Sequence, residues 1–159
     1  MSHIEVSGFV CLKFKNIARR VAMQVIELTK QSESLEIAIK FVSKKEIQRL
    51  NKETRNIDKV TDVLSYPSFD LKPGEIMDEK NGDFLIFQTQ DGRVHFGDMA
   101  ICFSQTKKQA KEFGNSVANE VKKLVIHSML HLMGYDHIKD EDYELMNKKE
   151  IELFEKISI

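Results

Sequence analysis

The chain has 159 residues, 42% hydrophobic and 31% charged, with a net charge of −1 and two cysteines. That is enough apolar material for one core of ordinary domain size without disulfides, so we expect a single domain over residues 1–159. The near-neutral charge excludes a protein that coats nucleic acid through bulk charge while leaving room for a local basic groove, and no stretch reaches the ~18 continuous apolar residues of a membrane span.

The N-terminus MSHIEVSGFV lacks a basic start followed by an apolar run, and Cys11 and Cys102 are isolated. We therefore expect no secretory leader, reduced core thiols and a cytoplasmic location.

In chain order, residues 4–10 read as a strand. Residues 15–30 read as an amphipathic helix, with Ile17, Val21, Val25 and Leu28 near 3.6-residue spacing. LEIAIKFV at 35–42 alternates apolar and polar residues, which predicts a strand. Ser43 with Glu46 three residues later reads as a capping box opening a helix to about Arg55. TDVLSY at 61–66 is β-rich and ends at Pro67. Residues 68–82 carry the turn dipeptides Pro73-Gly74 and Asn81-Gly82. DFLIFQ and RVHFGDMAICF flank Asp91-Gly92, which predicts an extended hairpin. Three helices follow: 105–113 capped by Ser104, 117–133 capped by Ser116 and stopped by Gly134, and 141–157 capped by Asp140. Strands first and helices last predict an α+β fold, a small mixed sheet packed with helices.

Two basic runs stand out: Lys44, Lys45, Arg49, Lys52, Arg55 and Lys59, then Lys107, Lys108, Lys111, Lys122 and Lys123. The second reads as a solvated helix face.

The chemistry concentrates in HSMLHLMGYDH, residues 127–137. His127 and His131 stand four apart, on one face of a predicted helix. Gly134 tolerates the left-handed conformation that ends a helix, so the chain can turn back and bring His137 to the same point. Residues 124–133 are apolar apart from His127, Ser128 and His131, so the helix should be buried. Polar groups there need partners. Three neutral imidazoles match a zinc site with one coordination position open. The spacing is also that of the metzincin peptidases, whose general base is a Glu directly after the first His. Here that position is Ser128, which cannot serve as the base at neutral pH.

HSMLHLMGYDH also resembles the signature of the YbeY endoribonucleases, bacterial rRNA maturation factors, with Ser128 where that family usually has Gly. NKETRNIDKVTDVLSYP (51–67) is similar to the family's stretch from an Arg to Asp-Lys-Pro-Thr-Asp-Val-Leu-Ser-Phe-Pro, with Val60 and Tyr66 as departures. Gly97-Asp98-Met99 resembles its Gly-Asp-Ile strand, and Met146 and Glu150 sit in a similar C-terminal helix. The resemblance spans most of 35–157, is weak before 35, and leaves 70–95 longer than usual. It implies that His127, His131 and His137 bind one Zn2+ and that Arg55 is the family's functional arginine, facing the metal across a cleft. It also implies a single-stranded RNA substrate and a role in small-subunit rRNA 3′ end maturation and ribosome quality control. The small ribosomal subunit and the Era GTPase are the implied partners. Asp62, Asp98 and Asp136 read as structural, holding loops or basic side chains, and His3 and His95 carry no assigned role. A metalloprotease-like hydrolase, and a non-catalytic ribosome-binding module with a structural metal, stand as alternatives.

Overall fold

In the computed structural model, which describes residues 2–159, the elements run β1 (His3–Gly8), α1 (Leu12–Leu28), β2 (Leu35–Val42), α2 (Lys44–Arg55), β3 (Val63–Pro67), α3 (Gly82–Ile86), β4 (Val94–Cys102), α4 (Phe103–Glu112), α5 (Val117–Leu132) and α6 (Asp140–Lys156). One mixed sheet has the order β1-β2-β4-β3; β1, β2 and β4 are parallel and β3 runs antiparallel to β4. The expected α+β class, with a small mixed sheet and helices packed on it, holds.

The two sheet faces bury unequal cores. Leu35, Ile37, Ile39 and Phe41 alternate along β2 toward the main core, which they share with Ala18, Val21, Ala22 and Val25 of α1 and with α5. On the other face Ile47 of α2 covers a small cluster of Leu64, Ala100 and Cys102. Helix α5 runs through the middle, against α1, β3, α4 and α6. Ten of its sixteen residues are buried. Each fully buried Leu, Ile, Val or Met contributes roughly 1.5–3 kcal/mol, so this helix is a rigid platform.

Several local expectations need correction. Residues 83–88 do not pair with β4 in a hairpin. Both edges of β4 are already taken, by β2 and β3, so no backbone donors remain for a further strand. Instead Asn81 caps a short helix through Asp83 N, burying Phe84 and leaving Leu85, Ile86 and Phe87 exposed. The turn at Asp91-Gly92 does form, with Thr89 N bonded to Arg93 O at 2.8 Å, but it joins irregular chain. The stretch before it is pinned by buried Leu71 and Met77 and by Gln31, which bonds Met77 N and Glu75 O.

Cap assignments divide in the same way. Ser43 and Ser116 accept from Glu46 N and Asn119 N as expected. The Glu46 carboxylate is instead bonded by Arg49, one turn further along, so the reciprocal half of the capping box, a bond back to Ser43 N, does not form. Ser104 and Asp140 are not caps: α4 starts one residue earlier at Phe103, and Asp140 opens the first turn of α6 with Glu141 and Asp142, where negative charge suits the helix dipole. Cys11 is exposed and Cys102 buried, both free, so only one of the two thiols is a core residue. In the second basic run Lys122 is buried, its Nζ donating to Ile157 O at 2.7 Å over the Phe154 ring.

Candidate metal centre

The centre is assembled by the way α5 ends. Gly134 has φ +83°, and its N–H donates to His131 O while Tyr135 N–H donates to Leu130 O. This pair of bonds is a Schellman motif, which satisfies the last carbonyls and reverses the chain. A Cβ at Gly134 would lie 1.9 Å from the Leu71 carbonyl oxygen. Only glycine fits both the conformation and the space. The reversal returns His137 to the helix end.

The donor atoms of His127, His131 and His137 then lie within 4.8 Å of one another. Ring centroids are 4.6 Å apart for His127 and His131, and 5.0 and 5.6 Å from His137 to His131 and His127. For His127 and His131 the other ring nitrogen is committed. His127 Nδ1 is 2.5 Å from Glu150 Oε1, and His131 Nδ1 is 3.0 Å from the Tyr135 carbonyl. Both partners are acceptors, so both Nδ1 atoms carry the proton and donate it. That leaves the Nε2 lone pairs of His127 and His131 facing each other at 3.1 Å. Two acceptors in that position repel unless a cation lies between them. The donor set therefore fits a metal ion. Burial, and after it the neighbouring His127 imidazole, pushes His131 down to about 4, so its ring is neutral at pH 7 and free to ligate.

Glu150 was not singled out from the sequence as a site residue. It comes from α6, where Met146, Glu150 and Leu153 follow one face at i, i+4 and i+7, and the two flanking residues are buried. A carboxylate on an apolar stripe is the signal that could have found it.

Ser128, next to the first ligand, is fully buried and shares a 2.7 Å hydrogen bond with Ser65 of β3. It joins helix to sheet beneath the histidines, and no carboxylate stands where the metzincin base would. Asp136 accepts from His137 N at 2.6 Å and lies outside the histidine cluster, as a turn residue should. Asp62 accepts from Val63 N and from Gln109, and Asp98 pairs with His95, so both hold structure together.

Arg55 ends α2, exposed, just before Asn56 closes the helix with φ +57°. It lines the cleft, about 460 Å³, whose floor holds the three histidines. Asn51 Nδ2 fastens the following loop through Lys59 O. In the last two turns of α2, Arg49 pairs with Glu46 and Glu53, and Lys52 with Asp58. Among the described residues Arg55 has no carboxylate partner, which leaves its guanidinium available to an anion in the cleft.

Fold and site together define an α+β protein with a three-imidazole candidate metal centre at the end of its central helix. The chain belongs to the endoribonuclease YbeY family, matching that family's model over residues 6–158. An endoribonuclease YbeY of Clostridium botulinum (strain Loch Maree / Type A3) is 34% identical over 149 residues, 92% of this chain and 90% of that one. One from Caldicellulosiruptor saccharolyticus is 41% identical over 128 residues, 80% and 77% of the two chains. The solution structure of TM1509 from Thermotoga maritima shares the fold, with a TM-score of 0.56 and 24% identity, covering 98% of this chain and 91% of that one. The family match reaches well upstream of residue 35, where the sequence motifs are weak. No helix among the described residues is long and apolar enough to cross a membrane.

Proposed function

We propose that the chain is a zinc-dependent endoribonuclease, a single-domain enzyme that cuts single-stranded RNA with His127, His131 and His137 as metal ligands and Arg55 as the catalytic cation. The observation that carries this reading is the facing pair of imidazole lone pairs, 3.1 Å apart, in the cleft lined by Arg55. Membership of the endoribonuclease family supplies the substrate class. Three nitrogen donors, with no fourth protein ligand in the cluster among the described residues, suit Zn2+ with an open position, and so a catalytic rather than a structural metal.

Bound there, Zn2+ supplies Lewis acidity at the cleft floor, to a water or to a phosphate oxygen. The protein's own groups do the rest. Glu150 and the Tyr135 carbonyl fix the tautomers of His127 and His131, which keeps their Nε2 atoms directed at one point. The Arg55 guanidinium takes two phosphate oxygens at once and offsets the negative charge that grows on them as the phosphorus becomes five-coordinate. Ser65 and Ser128 hold β3 to α5, so the arginine side and the histidine side keep their separation.

We extend the proposal, on the resemblance of the sequence motifs alone, to a role in small-subunit rRNA 3′ end maturation and ribosome quality control, in the cytoplasm, with the small ribosomal subunit and the Era GTPase as partners. The test is metal content by plasma mass spectrometry beside cleavage of a single-stranded RNA. Wild type should carry about one zinc per chain and cut. His131→Ala should lose both properties. Arg55→Ala should keep the zinc and lose roughly 100-fold or more in rate, the scale of removing one group that stabilises developing charge. A metal-free wild type after zinc is offered, or an undiminished Arg55→Ala, overturns the reading.

A further inference from the structure

The three-histidine cluster does not sit at the end of a pit. A second cleft, about 480 Å³, opens on its other side, and Arg55, Ser65, His131 and His137 line both. Through those shared residues the two read as one groove across the candidate metal centre. The first arm mixes Thr61, Asp62, Gln109 and Lys123 with Val63, Phe113 and Leu124. The second has Pro67, Phe69, Leu71, Tyr135 and Ile138, together with the carboxylates of Asp70 and Asp136.

Resting on the endoribonuclease reading, we propose that this second arm is a base-binding subsite, which takes an unpaired nucleobase next to the scissile phosphate and stacks it on the Phe69–Tyr135 wall. A nucleic acid strand is an alternation of anionic phosphates and flat apolar bases. A groove that puts a free guanidinium and a metal centre at one point, and an aromatic wall one step along, repeats that alternation. The Phe69 ring is held in advance by Phe87, at 5.5 Å between centroids and 69°, and by Phe96 at 6.5 Å. A ring already fixed costs little further ordering when a base lands on it. Aromatic stacking accepts any base yet requires that it be unpaired, and so it selects single strands without reading sequence.

The test is cleavage of a labelled single strand in which one position, walked along the chain, carries a ribose with hydrogen in place of the base and the 2′-hydroxyl kept. With zinc-loaded wild type, removing the base should slow one flanking bond about tenfold or more while distant bonds change less than twofold. Phe69→Leu and Tyr135→Leu keep apolar bulk and, for Tyr135, the carbonyl that holds His131. With unchanged melting temperature and zinc content, they should shrink that discrimination to under about threefold. Equal cutting beside base-free and base-bearing positions overturns the subsite, as does a variant that slows every bond alike. Wild type that cuts nowhere on the strand overturns instead the endoribonuclease reading on which the subsite rests.

Discussion

Helices α2 and α5 supply the two sides of the cleft by opposite means. From Leu124 onward helix α5 is apolar apart from His127, Ser128 and His131, and the two histidines are its candidate site residues. Helix α2 is mostly charged, and its candidate site residue is Arg55, which among the described residues has no carboxylate partner where the neighbouring Arg49 and Lys52 are paired. In the last turns of each helix the candidate site residue stands out against its neighbours: polarity where the helix is apolar, an unpaired charge where Arg49 and Lys52 are paired. The first contrast can be read from sequence alone. The second needs the coordinates, because pairing depends on where each side chain ends.

The sharpest way to break the contrast is at the turn that completes the α5 side. Gly134→Ala places a methyl group against the Leu71 carbonyl at a left-handed backbone position. We expect a loss of about 3 kcal/mol or more in denaturant unfolding, together with loss of zinc. Wild-type stability with full zinc would mean that the reversal does not place His137. Next comes the support from α6. Glu150→Gln should leave the fold intact and weaken zinc about 10- to 100-fold in a chelator competition, because the His127 tautomer is no longer enforced. Unchanged affinity would reduce Glu150 to a surface neighbour.

Smaller effects test the platform rather than the site. Ser116→Ala removes the α5 cap and should cost about 1 kcal/mol with no change in zinc affinity. The smallest concerns Glu152, held down to about 2 by its bonds from Lys156 and Lys149. Its folded value lies below its unfolded one, so the stabilisation is complete above the ordinary glutamate range and fades as pH falls toward 2. All three side chains remain open to solvent in part, so Glu152→Gln should change stability at pH 7 by under about 1 kcal/mol and flatten the acid limb only slightly.

Much of this was legible because the signals are local. The alternation in 35–42, the caps Ser43 and Ser116, and the His127–Gly134–His137 spacing all act within a few residues, and each forms as expected. What the sequence did not show depends on tertiary context. The run DFLIF has the composition of a strand, yet β4, the strand it precedes, is already paired on both sides by β2 and β3. Ser104 and Asp140 are good cap residues, but they lie two and one residues past the actual N-caps, Cys102 and Lys139. Glu150 is 23 residues from His127, and no spacing rule links a helix to a carboxylate on its neighbour. Arg55 was reached only through the family resemblance, since an arginine ending a helix is ordinary.

The distance in sequence between His127 and Glu150 also sets an order of events at birth. A growing chain adds about 5–20 residues each second, so the carboxylate follows its histidine by roughly one to five seconds. During that interval α5 and its turn can form from their own bonds, but the His127 ring is free to spin and to hold its proton on either nitrogen. Of the two aimed imidazoles, His131 therefore has its acceptor within its own turn, whereas His127 waits for α6, the last element made.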